Sequence, residues 1–218
     1  MQNQINQEHT NIKMIKQKIK QLDPSIKKEV DKKIDEFSQK NLSDKERFLE
    51  LCFCLLVANC SLDRTKKNWE NNKNLFLTSN QKQLSEKLKK LGQRFHNNKA
   101  SYIILAREHL NKLNSYLKNK EEFELREFLV KEIKGLGMKE ASHFLRNQGY
   151  RNFAILDRHV LKTLKDNEFI EDIPKTLTKK RYLDIETKLS NLAKELKTTQ
   201  AHLDLYLFYL DSRRVCQK

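Results

Sequence analysis

The chain has 218 residues, enough for one large domain or two fused subdomains with a sizeable core. Its 44 Lys and Arg against 29 Asp and Glu leave a net charge of +15, which suits a polyanionic partner such as nucleic acid but also a merely solvated helix surface. No apolar run is long enough to cross a bilayer, the opening MQNQINQEHTNIK lacks a signal-peptide hydrophobic stretch, and Cys52, Cys54, Cys60 and Cys216 make no paired CxxC spacing. These features exclude a membrane span and point to an intracellular chain, in cytoplasm or nucleoid, with no metal and no membrane partner.

Only four glycines and two prolines predict helix nearly throughout. Residues 1 to about 20 are polar and predict a loosely docked helix. Asp23 as N-cap and Pro24 at the first helical position open a stripe of Ile26, Val30, Ile34 and Phe37. Ser43-Asp44-Lys45-Glu46 reads as a capping box, and Phe48 to Ala58 behind it is apolar on nearly all sides, which predicts a central helix. Cys52, Cys54 and Cys60 are expected there as buried thiols. The stretch from Cys60 to Ser79 is the most loop-like, and Trp69 within it reads equally as a core anchor or a surface aromatic. Thr78 to Gln81 offers a second box before Leu84, Leu88 and Leu91, and Gly92 closes that helix. Further stripes are Ala106, Leu110, Leu113, Leu117 and then Tyr182, Ile185, Leu189, Leu192, Leu196, with a last helix from Leu203 to Leu210. No segment alternates like a strand, so the fold class is all-α.

Three of the four glycines fall between Gly135 and Gly149. Lys134-Gly135-Leu136-Gly137-Met138-Lys139 reads as a hairpin between apolar helical segments, where two glycines one residue apart allow a tight reversal with positive φ. Amides at the start of the following helix make an anion site suited to phosphate. Lys139 lies two residues past the second glycine, and Asp157, in AILDRH, follows eighteen residues later. Asp157 is placed as a helix N-cap, where the positive end of the dipole favours a carboxylate. His143, one turn after Lys139, reads as structural or phosphate-contacting, and Arg158 and His159 as contacts to phosphate or to the carboxylate.

The run Ile133-Lys134-Gly135-Leu136-Gly137-Met138-Lys139-Glu140-Ala141 resembles the helix-hairpin-helix motif of DNA base-excision glycosylases, with lysine where the bifunctional members carry their nucleophile. The longer string GMKEASHFLRNQGY, followed by AILDRHVL, resembles the archaeal-type 8-oxoguanine DNA glycosylase/AP lyase branch of that superfamily. The similarity extends through FLELCFCLLVANCS, RFHNNKASYIILAR and LDLYLFYL, from about Asp44 onward. This resemblance implies two helical subdomains flanking a cleft, divided near residue 105 into 1–105 and a helix-hairpin-helix catalytic part, 106–218. It implies a bifunctional, monomeric enzyme, without a cofactor, that removes 8-oxoguanine from double-stranded DNA and cleaves abasic sites. Lys139 would be the nucleophile, Asp157 the catalytic carboxylate, and Gly135 and Gly137 the phosphate-binding hairpin. Phe95 and Phe208 match the positions that sandwich the extruded base, although tryptophan is expected at the second. Lys218 would read the base through its main-chain carboxylate. The alternatives are a helix-hairpin-helix glycosylase for another lesion, or a non-enzymatic DNA-binding module that needs the glycines but not the Lys–Asp pair.

Overall fold

The computed structural model describes residues 13–38 and 41–215, and no strand occurs among them. The contacts divide the chain into two compact units, one of residues 1–39 with 149–218 and the other of residues 40–148. A cut near residue 105 falls inside the second unit, at the end of one of its helices. The reason is topological: the first unit is built from both ends of the chain, which no single cut can separate.

The unit made from the two ends contains α1 (described over residues 13–20), α2 (Pro24–Ser38), α11 (Arg158–Asp166), α12 (Lys179–Glu195) and α13 (Gln200–Ser212). Val30, Ile34 and Phe37 of α2 are buried as the stripe predicts, and α2 packs on α13. Of the stretch expected as a loosely docked helix, residues 1–12 lie outside the described residues, and over residues 13–20 α1 is packed against the unit. Ile15 and Ile19, one turn apart, are buried, while Lys16 pairs with Glu195 at 2.7 Å. On α12, Tyr182, Ile185, Leu189 and Leu192 face the core together.

The middle unit is organised on α3 (Asp44–Val57), in which every residue from Phe48 to Val57 is buried. Its capping box is present: Ser43 accepts from the Glu46 amide, and Glu46 accepts from the Ser43 amide. Around it lie α4 (Leu62–Glu70), α5 (Lys73–Thr78), α6 (Gln81–Lys90), α7 (His96–Ala106), a 3-10 turn (Arg107–His109), α8 (Leu113–Asn119), α9 (Glu122–Glu132) and α10 (Met138–Asn147).

Several sequence expectations need correction here. The stretch from Cys60 to Ser79 is largely helical, as α4 and α5, because Trp69 anchors it. The indole is buried against the edge of Phe53, and its N–H donates to the Leu49 carbonyl at 2.6 Å. Cys52 and Cys54 are buried, but Cys60 is half-exposed, and Cys216 lies outside the described residues. The stripe Ala106–Leu110–Leu113–Leu117 is not one helix: α7 stops at Ala106, and Arg107 turns away to donate to the carbonyls of Leu75 and Phe76 at the end of α5. The second box is displaced by two residues. Asn80, not Thr78, caps α6 by accepting from the Gln83 amide at 2.9 Å, and Gln83 accepts from the Asn80 amide in return. Thr78 belongs to the last turn of α5, and its hydroxyl donates back to the Asn74 carbonyl. Gly92 closes α6 with φ +70°, its amide on Lys89 O and that of Gln93 on Leu88 O, so the predicted stop is observed.

The relocated cap can be checked by urea denaturation followed by circular dichroism. Asn80→Ala is expected to cost about 1 kcal/mol, the usual value of a helix N-cap, whereas Thr78→Ala should stay within about 0.5 kcal/mol of the parent, as for an exposed site without that duty.

Candidate active site

The hairpin is built by a tight turn at the end of α9. The Leu136 amide donates to the Ile133 carbonyl at 3.1 Å, and Gly135, third of the four turn residues, has φ +90°. Ile133 and Leu136 are buried and anchor it. Gly135 is required twice over, because a Cβ there would lie 2.2 Å from the ring of Tyr102 on α7. Gly137 is different. Its φ of −90° is open to any residue, so the expectation that both glycines supply positive φ holds only for the first. Gly137 is the N-cap of α10, where the absent side chain leaves the helix-start amides uncovered; a Cβ would approach Glu140 Oε2 to 3.1 Å.

Lys139 is the second residue of α10, on the first turn after this opening. Its side chain is 23% exposed, and its Nζ lies 3.3 Å from Glu140 Oε1. The helix beneath it is held by apolar Ala141, Phe144 and Leu145 and by buried polar contacts, Arg126 to the Ser142 hydroxyl at 3.1 Å and Asn147 to Glu50 at 3.4 Å. His143 is buried edge-on against Phe53 at 5.9 Å, which makes it a core residue rather than a phosphate contact.

Phe95 belongs to the same unit. It occupies the N-cap position of α7 with φ +57°, a left-handed backbone rarely taken by a bulky residue, and the residue is 54% exposed. A large apolar ring held outward on a strained backbone is unusual unless something covers or uses it. The Arg94 guanidinium lies over the ring at 5.4 Å. The C-terminal half of α7 carries Tyr102, which touches Gly135, so one helix links the hairpin to the turn bearing Phe95.

Asp157 lies in the other unit, as the N-cap of α11. Its Oδ1 accepts from the Val160 amide at 2.9 Å, and Oδ2 has no hydrogen-bond partner among the described residues. Two residues on, His159 Nδ1 meets Asp211 Oδ2 at 2.6 Å, and its ring packs edge-on against Phe208 at 5.0 Å. The Lys162 ammonium also binds Asp211 at 2.8 Å, and these two hydrogen bonds hold the Asp211 carboxyl below the usual carboxylate range. Phe208 is half-buried, whereas nearby Tyr206 is buried. Phe208 therefore shares with Asp157 a single neighbourhood, joined through His159. Lys218 lies outside the described residues.

A family sequence model described as 8-oxoguanine DNA glycosylase matches residues 30–198. The chain belongs to the 8-oxoguanine DNA glycosylase family. It is 46% identical over 204 residues to an 8-oxoguanine DNA glycosylase/AP lyase of Methanocaldococcus jannaschii, covering 93% of this chain and 99% of that protein. It is 39% identical over 188 residues to one of Thermotoga sp., covering 85% and 90%. Among solved structures it is similar, with a TM-score of 0.89 and 44% identity, to the M. jannaschii glycosylase/lyase in complex with a 15mer DNA containing 8-oxoguanine, over 93% of this chain and 99% of that one. The Thermotoga maritima 8-oxoguanine DNA glycosylase gives a TM-score of 0.88 at 35% identity, over 94% and 100%.

Within this family member, the residues that seat Asp157 escape a reading of the sequence. Phe153 to Leu156 is a buried segment without helix. Its backbone is satisfied by side chains: the Ala154 amide donates to Glu186 at 3.1 Å, the Ile155 amide to Asp204 at 3.1 Å, and the Tyr182 hydroxyl donates to the Ala154 carbonyl at 2.5 Å. Glu186 and Asp204 sit on the inner faces of α12 and α13, where a carboxylate interrupting an apolar stripe is the one available signal.

The contrast between the two glycines is measurable. Gly135→Ala should destabilise the protein by more than about 1 kcal/mol in thermal unfolding, since it combines a disallowed φ with overlap on Tyr102, whereas Gly137→Ala should cost less than about 1 kcal/mol. Equal losses would show that the two positions are constrained alike.

Proposed function

We propose that this protein is a bifunctional DNA repair glycosylase that excises 8-oxoguanine from duplex DNA and cleaves the resulting abasic site. The observation that carries the reading is the placement of Lys139 on the first turn of α10, directly after a glycine hairpin whose geometry leaves the helix-start amides open, in a chain that belongs to the 8-oxoguanine DNA glycosylase family. The relatives named above support the substrate. Such an enzyme works where DNA is, in cytoplasm or nucleoid, and no helix among the described residues is long and apolar enough to cross a membrane.

The proposed chemistry starts with the hairpin. Its amides bind a backbone phosphate, which positions the strand without reading sequence. The damaged nucleotide leaves the duplex, and its base stacks between aromatic faces, for which Phe95 and Phe208 are the candidates. The unprotonated Lys139 Nζ attacks C1′ and the glycosidic bond breaks, the base departing with the bonding electrons and a proton. The aminal so formed opens to a Schiff base between Nζ and C1′. Loss of a C2′ proton then expels the 3′ phosphate by β-elimination. The Asp157 carboxylate, with one oxygen on the Val160 amide and the other without a hydrogen-bond partner among the described residues, stabilises positive charge at C1′ or accepts the lysine proton.

Borohydride tests the nucleophile. It should reduce the imine to a stable amine and leave a covalent protein–DNA adduct on 8-oxoguanine duplex, visible by denaturing electrophoresis, while Lys139→Gln yields none. Trapping of that variant at the parent level would assign the chemistry to another amine. For the carboxylate, Asp157→Asn keeps an oxygen for the Val160 amide and hence the cap, yet single-turnover excision is expected to fall at least ~100-fold. An unchanged rate would leave Asp157 as a helix cap alone.

A further inference from the structure

The residue with the least ordinary setting outside the groups so far assigned is Lys99, on the second turn of α7. Only 3% of it is exposed, a rare fate for a lysine. Its ammonium is fully engaged: Nζ donates to the Leu56 carbonyl at 2.6 Å, to the Gln93 side-chain carbonyl at 3.2 Å and to Cys60 Sγ at 3.2 Å. Leu56 lies in the last turn of α3, so its carbonyl belongs to the negative end of that helix and has no partner within it. Burial pulls the Lys99 pKa down, and the charges of Lys139 and Arg94 add to this.

Gln93 is the other half of the arrangement. It is 3% exposed and lies in the short connection between α6 and α7, two residues before Phe95. Its amide bonds back to the Leu88 carbonyl, and its side chain joins Lys99 on one side and the buried Thr65 hydroxyl, at 3.5 Å, on the other. The Lys99 amide in turn donates to the Phe95 carbonyl at 3.0 Å. Lys99 therefore grips the connection at both ends, by its main chain at Phe95 and by its ammonium through Gln93, and ties it to the end of α3.

We infer that Lys99 is a positioning residue for base recognition: with Gln93 it clamps the turn at residues 92–95 onto α3 and so holds Phe95 in its left-handed, outward conformation. The clamp explains how an unfavourable backbone at a bulky aromatic persists without glycine. The inference rests on the proposed stacking of Phe95 on the extruded base. It assigns Lys99 no contact with DNA or with the reacting atoms.

The test separates recognition from chemistry by comparing 8-oxoguanine excision with cleavage of a preformed abasic site, which has no base to stack. In Lys99→Met, the ratio of single-turnover excision to abasic cleavage should fall about tenfold, the scale of losing one base–aromatic stack. Gln93→Leu should lower the same ratio, and Lys99→Met should lower it no further when Phe95→Ala is already present. Amide hydrogen exchange read by mass spectrometry should accelerate in residues 92–96 in both single variants and stay at the parent rate in α10. An unaltered ratio in both variants, equal loss on the two substrates, or parent-like exchange in the turn would overturn the inference. If Phe95→Ala itself leaves the ratio unaltered, the stacking reading is what fails, and the exchange rates alone then decide whether Lys99 holds the turn.

Discussion

A chain that is helical nearly everywhere must satisfy its backbone wherever a helix stops, because the first amides and last carbonyls of each helix have no partner inside it. With only four glycines, this protein meets that demand with side chains. Ser43, Asn80, Asp157, Thr178 and Thr199 accept amides at helix starts. Arg107 and Lys99 donate to carbonyls at helix ends. Glu168 and Lys197 take the left-handed geometry that glycine would otherwise supply after α11 and α12. The residues proposed for chemistry and recognition occupy these same points: Asp157 caps α11, Lys139 is the second residue of α10, and Phe95 stands before the first residue of α7. Helix starts suit such work because they combine a fixed backbone with uncovered amides that favour anions.

Each unit fixes its own helix starts by burying polar groups. Beneath Lys139, Arg126 with Ser142 and Asn147 with Glu50 bind α10 to its neighbours. Behind Asp157, Glu186 and Asp204 stand in for a neighbouring strand by accepting amides of the segment that leads to it. Leaving such a buried group without its partner costs more than the net worth of the hydrogen bond, so arrangements of this kind hold one geometry tightly. That suits a site whose reacting groups must be placed to a fraction of an ångström.

What the sequence disclosed follows from how local each signal is. The Ser43 box, the Gly92 stop, the hairpin turn and the Asp157 cap are written within a few neighbouring residues, and all four are observed. The all-α class was legible for the same reason, from periodicity and from scarce glycine and proline. Where two local signals competed, as at Thr78 and Asn80, the better cap won, and the four-residue spacing that made Thr78 attractive was coincidental. The polar stretch from Cys60 to Ser79 concealed two helices because its single anchor, Trp69, finds its partner twenty positions earlier at Leu49. The same holds for the supports of the site. Nothing near Glu186 or Asp204 announces that their carboxylates serve residues 154 and 155, and nothing near Lys99 announces Leu56, since both depend on pairings distant in sequence. The unit boundary escaped for an extreme form of this reason, with the first helices packing on the last.

Trp69 is the only tryptophan in the chain, and it lies wholly within the unit of residues 40–148. Its indole is buried, hydrogen-bonded, edge-on to Phe53 and overlain by the Lys73 ammonium at 4.1 Å. The other unit has no tryptophan, and its tyrosines are Tyr150, Tyr182, Tyr206 and Tyr209. Intrinsic tryptophan emission is therefore a private signal of the unit that carries the hairpin. A red shift during denaturation dates the opening of that unit alone, whereas tyrosine emission, to which Tyr102 and Tyr116 also contribute, and circular dichroism follow both units together. An offset between the two records shows that the units do not come apart together.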